Sequence, residues 1–326
     1  KAINSCIAFV PSLEGKQLIL VEDLISKDEL HPVQKAMVNY HGSQCGFCTP
    51  GFVMSLFAMY KNYSSYKEDI IKDSIQGNLC RCTGYRPIID AAKSLNKENK
   101  FDHFSKNKKI ILSLLRKIKQ RNITIINDNK KYFAPKSVDE LKKILRQEPN
   151  SKLLSGGTDV SLIVTKERKD LNSLIYMNSI NELNYIKENN SYVEVGATTP
   201  LINFESFITK YFPDFSQILK RYGSVQIRNV CTIAGNVATA SPIGDTLPLL
   251  LALDSQIVIK DKNKTQILPL NGFFISYRKT KLKKGQFIHS IRIPLLKKSI
   301  FKAYKISKRI DDDISSVCAS FSIEIN

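Results

Sequence analysis

The sequence predicts a multidomain α+β chain, and three observations lead there. Residues 28–96 read as helices joined by two cysteine-bearing loops. Residues 98–130 are charged and rich in Asn, the texture of a linker with one helix. From residue 131 onward, short apolar strands alternate with short helices around glycine-rich turns. A length of 326 residues leaves room for about two domains at roughly 150 residues each. An apolar content of 43% supports packed cores rather than disorder.

CIAFV and QLILVED, separated by PSLEG, read as two strands of a hairpin within residues 1–25, too little to fold alone. A helix opens at Pro32, places Val33, Met37 and Tyr40 at helical spacing and stops at Gly42. A second opens at Thr49-Pro50, a capping residue followed by a first-turn proline. A third runs from about Lys67 to Gln76 and stops at Gly77, and a fourth opens at Pro87. Beyond the linker, KLLSG and LIYMN read as strands, YIKENNSYVEV and QIVIKDKNKTQIL as hairpins, and residues 201–222 as helical. HSIRI and SVCASFSIEI alternate, the latter with Val317, Ala319, Phe321, Ile323 and Ile325 on one face. The chain opens on Lys1 and stops on that strand, so a fragment cut at both ends is expected.

Lys and Arg outnumber Asp and Glu by 49 to 30, a net charge of +19. Nucleic-acid binding would ask for aromatic platforms among the basic residues. Basic segments such as 106–121 instead interleave Ile and Leu at helical spacing, so the lysines read as solvated faces and no nucleic-acid partner is expected. No long uncharged apolar run predicts a membrane span, and no secretory leader is visible. The seven cysteines are odd in number and four of them form two tight pairs, which points to metal ligation in a reducing, cytoplasmic setting rather than to disulfides.

The pairs are Cys45-x2-Cys48 and Cys80-x-Cys82. The two loops echo one another: Gly42-Ser-Gln-Cys45 and Gly77-Asn-Leu-Cys80, each followed by a second Cys, a Thr and a proline near the next helix start. Two helical hairpins thus present two dithiol loops that are expected to face each other. Soft thiolates suit an iron–sulfur cluster, which takes four of them. The unpartnered N–H groups and positive ends of the following helices favour a cluster's negative charge. A structural zinc held by four cysteines is the alternative, although zinc sites more often repeat C-x2-C.

QCGFCTPGFVMS and GNLCRCTGYRPI resemble the second [2Fe–2S] domain of the xanthine dehydrogenase and aldehyde oxidase family. The resemblance implies that Cys45, Cys48, Cys80 and Cys82 hold the cluster nearest a molybdenum cofactor, which Gln44 approaches. It also implies that Cys6 is the last ligand of a first, plant-type ferredoxin cluster. The other three ligands of that cluster are not in this sequence, so residues 1–25 would be a ferredoxin remnant and residues 26–97 the helical [2Fe–2S] domain. Read alone, Cys6 is a small buried hydrophobe.

The second half has no GxGxxG. Strand KLLSG instead leads into Gly156-Gly157-Thr158-Asp159, where glycines would let backbone N–H groups approach a pyrophosphate. A second stretch, from Tyr222 through Thr232, Gly235, Asn236 and Thr239 to Asp245, is dense in small and hydroxyl residues that suit phosphate and sugar. Asp245 is equally suited to cap the helix over TLPLLLAL. Together these stretches resemble the family's FAD-binding domain, of the vanillyl-alcohol-oxidase type. The resemblance implies a domain over 131–298 and FAD contacts from Leu153, Leu154, Ser155, Gly156, Gly157, Thr158, Asp159 and Val160. It implies further contacts from Tyr222, Thr232, Gly235, Asn236, Thr239 and Asp245, and the start of a C-terminal flavoprotein domain over 299–326. Lys305 and Asp312 would stand near the flavin's nicotinamide side; taken alone, both read as surface charge. Cys231, Cys318 and the four histidines show no ligand spacing.

The function so implied is electron transfer. Electrons from a purine oxidised on a molybdenum-bearing large subunit would cross [2Fe–2S] to FAD and reduce NAD, with no general acid or base on this chain. The alternatives are the equivalent subunit of an aldehyde, N-heterocycle or carbon monoxide hydroxylase, or a fragment holding structural zinc.

Overall fold

The computed structural model describes residues 1–95, 102–118, 121–295 and 299–324. Contacts divide the chain into two compact units. The first comprises Lys1–Ile3, Val10–Gln120 and Ser224–Gln226; the second comprises Asn4–Phe9, Arg121–Gly223 and Ile227–Asn326.

The first unit is helical. It contains α1 (Pro32–Asn39), α2 (Thr49–Asn62), α3 (Glu68–Ile75), α4 (Arg86–Lys93) and α5 (His103–Lys117). The turn signals explain the boundaries of α1. His31 caps it in a reciprocal box with Gln34. At the other end His41 takes the left-handed conformation, and the Gly42 N–H donates back to the Met37 carbonyl at 2.8 Å. Gly42 itself does not take a left-handed φ, and a Cβ there would meet mainly the flexible end of the Met37 side chain. Val33 and Met37 are buried as expected, but Tyr40 is exposed. At α2 the N-cap is Cys48, with Thr49 the first helical residue, so the threonine is not the cap that the sequence suggests. Phe52, Leu56 and Tyr60 of α2 meet Ile71 of α3 and Ile88 of α4 in one apolar core, each large side chain contributing roughly 1.5–3 kcal/mol by leaving water.

The hairpin expected over residues 1–25 is not there. CIAFV and QLILVED instead form the short 3-10 turns Ser5–Ile7, Val10–Leu13 and Glu22–Leu24. A two-stranded hairpin is marginal without a further strand or helix to cover it, and among the described residues none pairs with these. The backbone closes locally: Ala8 N–H donates to the Ser5 carbonyl, and Leu20 N–H to the Asp23 carboxylate at 2.7 Å.

A buried polar knot ties α5 to this unit. Asp102 caps α5, accepting from the Ser105 N–H at 2.8 Å. It also accepts from Lys61 Nζ at 2.8 Å and meets His31 Nε2 at 3.2 Å. Burial opposes its charge, but Lys61, Ser105 and His31 together outweigh it and hold the carboxyl at about 2. Burial lowers the pKa of His31, despite Asp102.

The second unit is α+β. Its strands are β1 (Ile123–Asn127), β2 (Lys130–Ala134), β3 (Lys152–Leu154), β4 (Ser173–Tyr176), β5 (Ile186–Glu188), β6 (Tyr192–Gly196), β7 (Gln256–Lys260), β8 (Thr265–Pro269), β9 (Phe274–Ser276), β10 (Lys279–Thr280), β11 (Phe287–Pro294), β12 (Ser299–Ile306) and β13 (Val317–Glu324). Its helices are α6 (Val138–Gln147), α7 (Val160–Thr165), α8 (Leu201–Ile208), α9 (Pro213–Lys220), α11 (Ile233–Thr239) and α12 (Thr246–Ala252); the short α10 (Val225–Arg228), between α9 and α11 in the chain, has Val225 and Gln226 in the first unit and Ile227 and Arg228 in the second. One sheet has the order β1-β2-β4-β3, with β2, β4 and β3 parallel; the other, β5-β6-β11-β7-β8, is antiparallel throughout.

The expected strands KLLSG and LIYMN are β3 and β4, and the two expected hairpins are β5–β6 and β7–β8. Strand β1 lies inside the stretch that reads as a linker. Val193, Val195, Ile257, Ile291 and Ile293 bury one sheet face against α8, α9, α11 and α12. The alternation in SVCASFSIEI does form a strand, β13, which pairs with β12. Val317, Phe321 and Ile323 lie half-exposed on it, and Ile325 falls outside the described residues. Among the described residues, no helix is long and apolar enough to cross a membrane.

Replacing Asp102 by Ala is expected to cost the helical unit about 2 kcal/mol, because it removes hydrogen bonds to a charged group. Thermal unfolding of the variant measures this. In the wild type, acid should act in two steps. His31 opposes protonation in the fold, so stability falls as pH drops below 6.5; the Asp102 contribution, complete above 3.8, is lost as pH falls toward about 2.

Candidate functional site

The two cysteine loops meet. Cys82 Sγ lies 3.5 Å from Cys45 Sγ and 3.8 Å from Cys80 Sγ, and Cys48 interacts with Cys80. All four thiols are free. The neighbouring helices hold both loops in place. Cys48 sits at the start of α2. In the second loop, Tyr85 takes a left-handed φ of 68° just before α4, and its hydroxyl accepts from the Cys80 N–H at 3.0 Å. Asn78 donates to Ser55 Oγ on α2 at 2.7 Å. Gly51 makes that contact possible, since a Cβ there would strike Asn78 Oδ1 at 2.7 Å. Neither Gly51 nor Asn78 stood out in the sequence, because their role is contact between loop and helix rather than chemistry.

The thiols are not equivalent. The Thr83 hydroxyl, 3.0 Å from Cys80 Sγ, and the Thr83 N–H hold Cys80 down to about 6. The Phe47 N–H lowers Cys45. Burial, followed by Cys80, pushes Cys48 up to about 11. A thiol poised near neutrality is deprotonated readily on metal binding. Among the described residues, no three or more His, Cys, Asp or Glu side chains close on a single ion position. The donor set suits a [2Fe–2S] cluster, which spreads four thiolates over two irons: two thiols come from each loop. Gln44 is exposed beside Cys45, and Phe47 and Leu79 project from the loops at 95% and 84% exposure. Cys6 is exposed in its 3-10 turn and belongs to the second unit.

In the second unit, β3 carries Leu153 and Leu154, and Ser155–Asp159 form the turn into α7, which starts at Val160. Gly157 has φ 76°. Gly156 is required by its neighbours: a Cβ there would overlap the Val230 carbonyl, so the turn packs directly on the Val230–Cys231 backbone. The turn is half-exposed, and its two glycines let a ligand come close to the backbone, a fit to an anionic pyrophosphate; the Ser161 and Leu162 N–H groups of α7 are already taken by the Gly157 and Asp159 carbonyls.

The second stretch forms α11. Thr232 caps it, accepting from the Gly235 N–H at 3.0 Å, and Ala234 sits inside it. The Tyr222 hydroxyl donates to Asn236 Oδ1 at 3.1 Å, Cys231 Sγ donates to the same oxygen at 3.5 Å, and Asn236 donates to Thr246 Oγ1 at 3.3 Å. The Thr239 hydroxyl donates to the Asn236 carbonyl.

Beside α11 and α12 opens a cleft of about 480 Å³, lined among others by Ser241, Asp245, Tyr277, Ser315 and Cys318. Of the residues expected at FAD, only Asp245 lines it. Asp245 occupies the cap position of α12 without capping it. Its carboxylate accepts from Lys305 Nζ at 2.7 Å and Ser315 Oγ at 2.5 Å. Lys305 is not surface charge, since its side chain is 2% exposed. Asp312 is exposed with φ 50°.

Two family models match the chain: a [2Fe–2S] binding domain over residues 20–93, and the FAD binding domain in molybdopterin dehydrogenase over residues 126–296, more than half the chain. The chain belongs to the molybdopterin dehydrogenase family. Among curated relatives, xanthine dehydrogenase of Emericella nidulans is 32% identical across all of this chain and 28% of its own length, and that of Oryza sativa 30% across 99% and 29%. The chain thus spans under a third of the length of these relatives. Among solved structures, carbon monoxide dehydrogenase from Hydrogenophaga pseudoflava is 28% identical, with TM-score 0.54, over 59% of this chain and 68% of that one. Quinoline 2-oxidoreductase from Pseudomonas putida 86, at 19% identity and TM-score 0.56, shares the fold over 60% of this chain and 68% of that one. The chain therefore carries both a [2Fe–2S] and an FAD domain.

Replacing Cys80 by Ser should reduce bound iron from about two atoms per chain to near none while FAD remains, read by iron assay and flavin absorbance. Replacing Gly156 by Ala should do the reverse, displacing the turn and releasing FAD while the cluster's absorbance persists.

Proposed function

We propose that the chain is the electron-transfer part of a xanthine-dehydrogenase-like molybdenum hydroxylase, with Cys45, Cys48, Cys80 and Cys82 as cluster ligands. The observation that carries this is the meeting of two dithiol loops on one unit of a chain whose other unit is an FAD domain. The bound groups supply the redox chemistry: electrons from a molybdenum centre on a partner polypeptide or region cross [2Fe–2S] to FAD and leave to NAD. The chain's own residues bind, orient and tune. The second loop's Thr83 and Tyr85 contacts fix Cys80, and the first N–H groups of α2 and α4 favour negative charge beside the thiols. The cleft beside Asp245 takes the flavin ring, with the turn from Ser155 to Asp159 at the pyrophosphate and Tyr222, Asn236 and Thr239 supporting that wall. Lys305 and Asp312 stand on the acceptor side.

The exposed Gln44, Phe47 and Leu79 suit a docking face toward the molybdenum-bearing partner, since exposed apolar residues beside a redox loop become buried on association. Free thiols throughout support a reducing, cytoplasmic setting. Whole-chain identity to xanthine dehydrogenases supports a purine substrate. The second reading, a hydroxylase for another substrate, draws on the carbon monoxide dehydrogenase likeness.

The chain assembled with its molybdenum-bearing partner should oxidise xanthine with NAD as acceptor. Turnover of aldehydes, N-heterocycles or carbon monoxide without purine turnover would move the assignment to the second reading. A colourless chain containing zinc would remove electron transfer altogether.

A further inference from the structure

The cleft wall holds a carboxylate with an unusual setting. Asp245 is 4% exposed, yet it lines the cleft. Its two oxygens are held from different sides. Lys305 Nζ, outside the cleft lining, donates to Oδ2 at 2.7 Å and to the Arg221 carbonyl at 3.1 Å. Ser315, which does line the cleft, donates to Oδ1 at 2.5 Å. Cys318 Sγ is 3.6 Å from the Asp245 carbonyl. Burial, then the Asp245 charge, pushes its thiol up to about 12, so Cys318 adds no anion to the wall.

We propose that Ser315 is a positioning residue that tunes the flavin's potential by holding the Asp245 carboxylate against Lys305 and drawing negative charge from its cleft-side oxygen. The proposal rests on the reading of this cleft as the flavin-ring site. A hydroxyl donating to a carboxylate forms a short, charge-assisted bond that spreads the anion's charge. In a poorly hydrated wall, that charge acts on whatever occupies the cleft more strongly than it would in water. A flavin gains electrons when reduced, so a bare carboxylate nearby disfavours reduction, and charge near the ring is one of the protein's means of setting the potential. Lys305 neutralises the pair from behind, and Ser315 screens it at the cleft. The nearby Ser307–Ser316 segment is itself anchored, with Arg221 donating to the Lys305 and Ile310 carbonyls and to Ser307 Oγ, so the hydroxyl is presented from a fixed backbone.

The test is a potentiometric titration of the flavin absorbance in the purified full chain, with Ser315→Ala and Ser315→Thr beside the wild type. Ser315→Ala should keep stoichiometric FAD and show a lower midpoint potential; Ser315→Thr, which retains the hydroxyl, should titrate near the wild type. An Ala variant at the wild-type potential overturns the proposal, as does a Thr variant shifted as far as the Ala variant. A wild-type chain with no flavin absorbance would overturn the underlying reading instead, and would be seen before any titration.

Discussion

Bringing four thiols together is the constraint on which the helical unit is built. Sulfurs at 3.5 and 3.8 Å repel once ionised, so the loops cannot rely on one another for their shape. Each is held by backbone and side-chain contacts to helices: Cys48 at the head of α2, Cys80 through Tyr85 and Thr83, and the second loop through Asn78 on Ser55. The apolar core shared by α2, α3 and α4 then fixes the helices that carry these contacts. The sulfurs therefore sit on a preorganised frame, and a cluster needs to displace protons rather than rebuild loops.

The second unit solves a different problem, which is how to bring a loop turn and a helix together closely enough to shape a cofactor wall. It does so by removing side chains and burying polar ones in pairs. Gly156 lets its turn rest on the Val230–Cys231 backbone. Asn236 draws Tyr222, Cys231 and Thr246 into one network. The Lys305–Asp245 pair joins β12 to the start of α12. A buried ion pair is weak support for stability, because desolvation offsets its attraction. Its presence beside a cleft fits a role in setting local potential.

Much of this was legible in the sequence where one residue type has one local meaning. Pro32, Gly42, Pro50 and Pro87 mark helix ends within three residues, and the alternation of β5–β6 and β7–β8 reflects their apolar period. The cysteine pairs could be read because thiols at that spacing have few uses. Other features depend on partners distant in sequence. CIAFV has strand composition, but among the described residues no strand pairs with it, and it closes into a 3-10 turn. Asp245 has the position of a helix cap, but Lys305 and Ser315 outcompete the helix N–H groups for its carboxylate. Lys305 sits in a lysine-rich stretch, and nothing in that composition distinguishes the buried one. Thr232 and Asn236 read as cofactor ligands, and nothing in the sequence shows that their side chains also hold α11.

The most direct test of electron transfer is anaerobic reduction of the loaded chain with limiting NADH, following flavin absorbance and the low-temperature paramagnetic signal of the reduced cluster in the same samples. The expected result is that the cluster signal grows as the flavin bleaches, both reaching a plateau at the same amount of NADH. A flavin that bleaches fully while the iron stays oxidised, or a chain that NADH leaves unchanged, would contradict it.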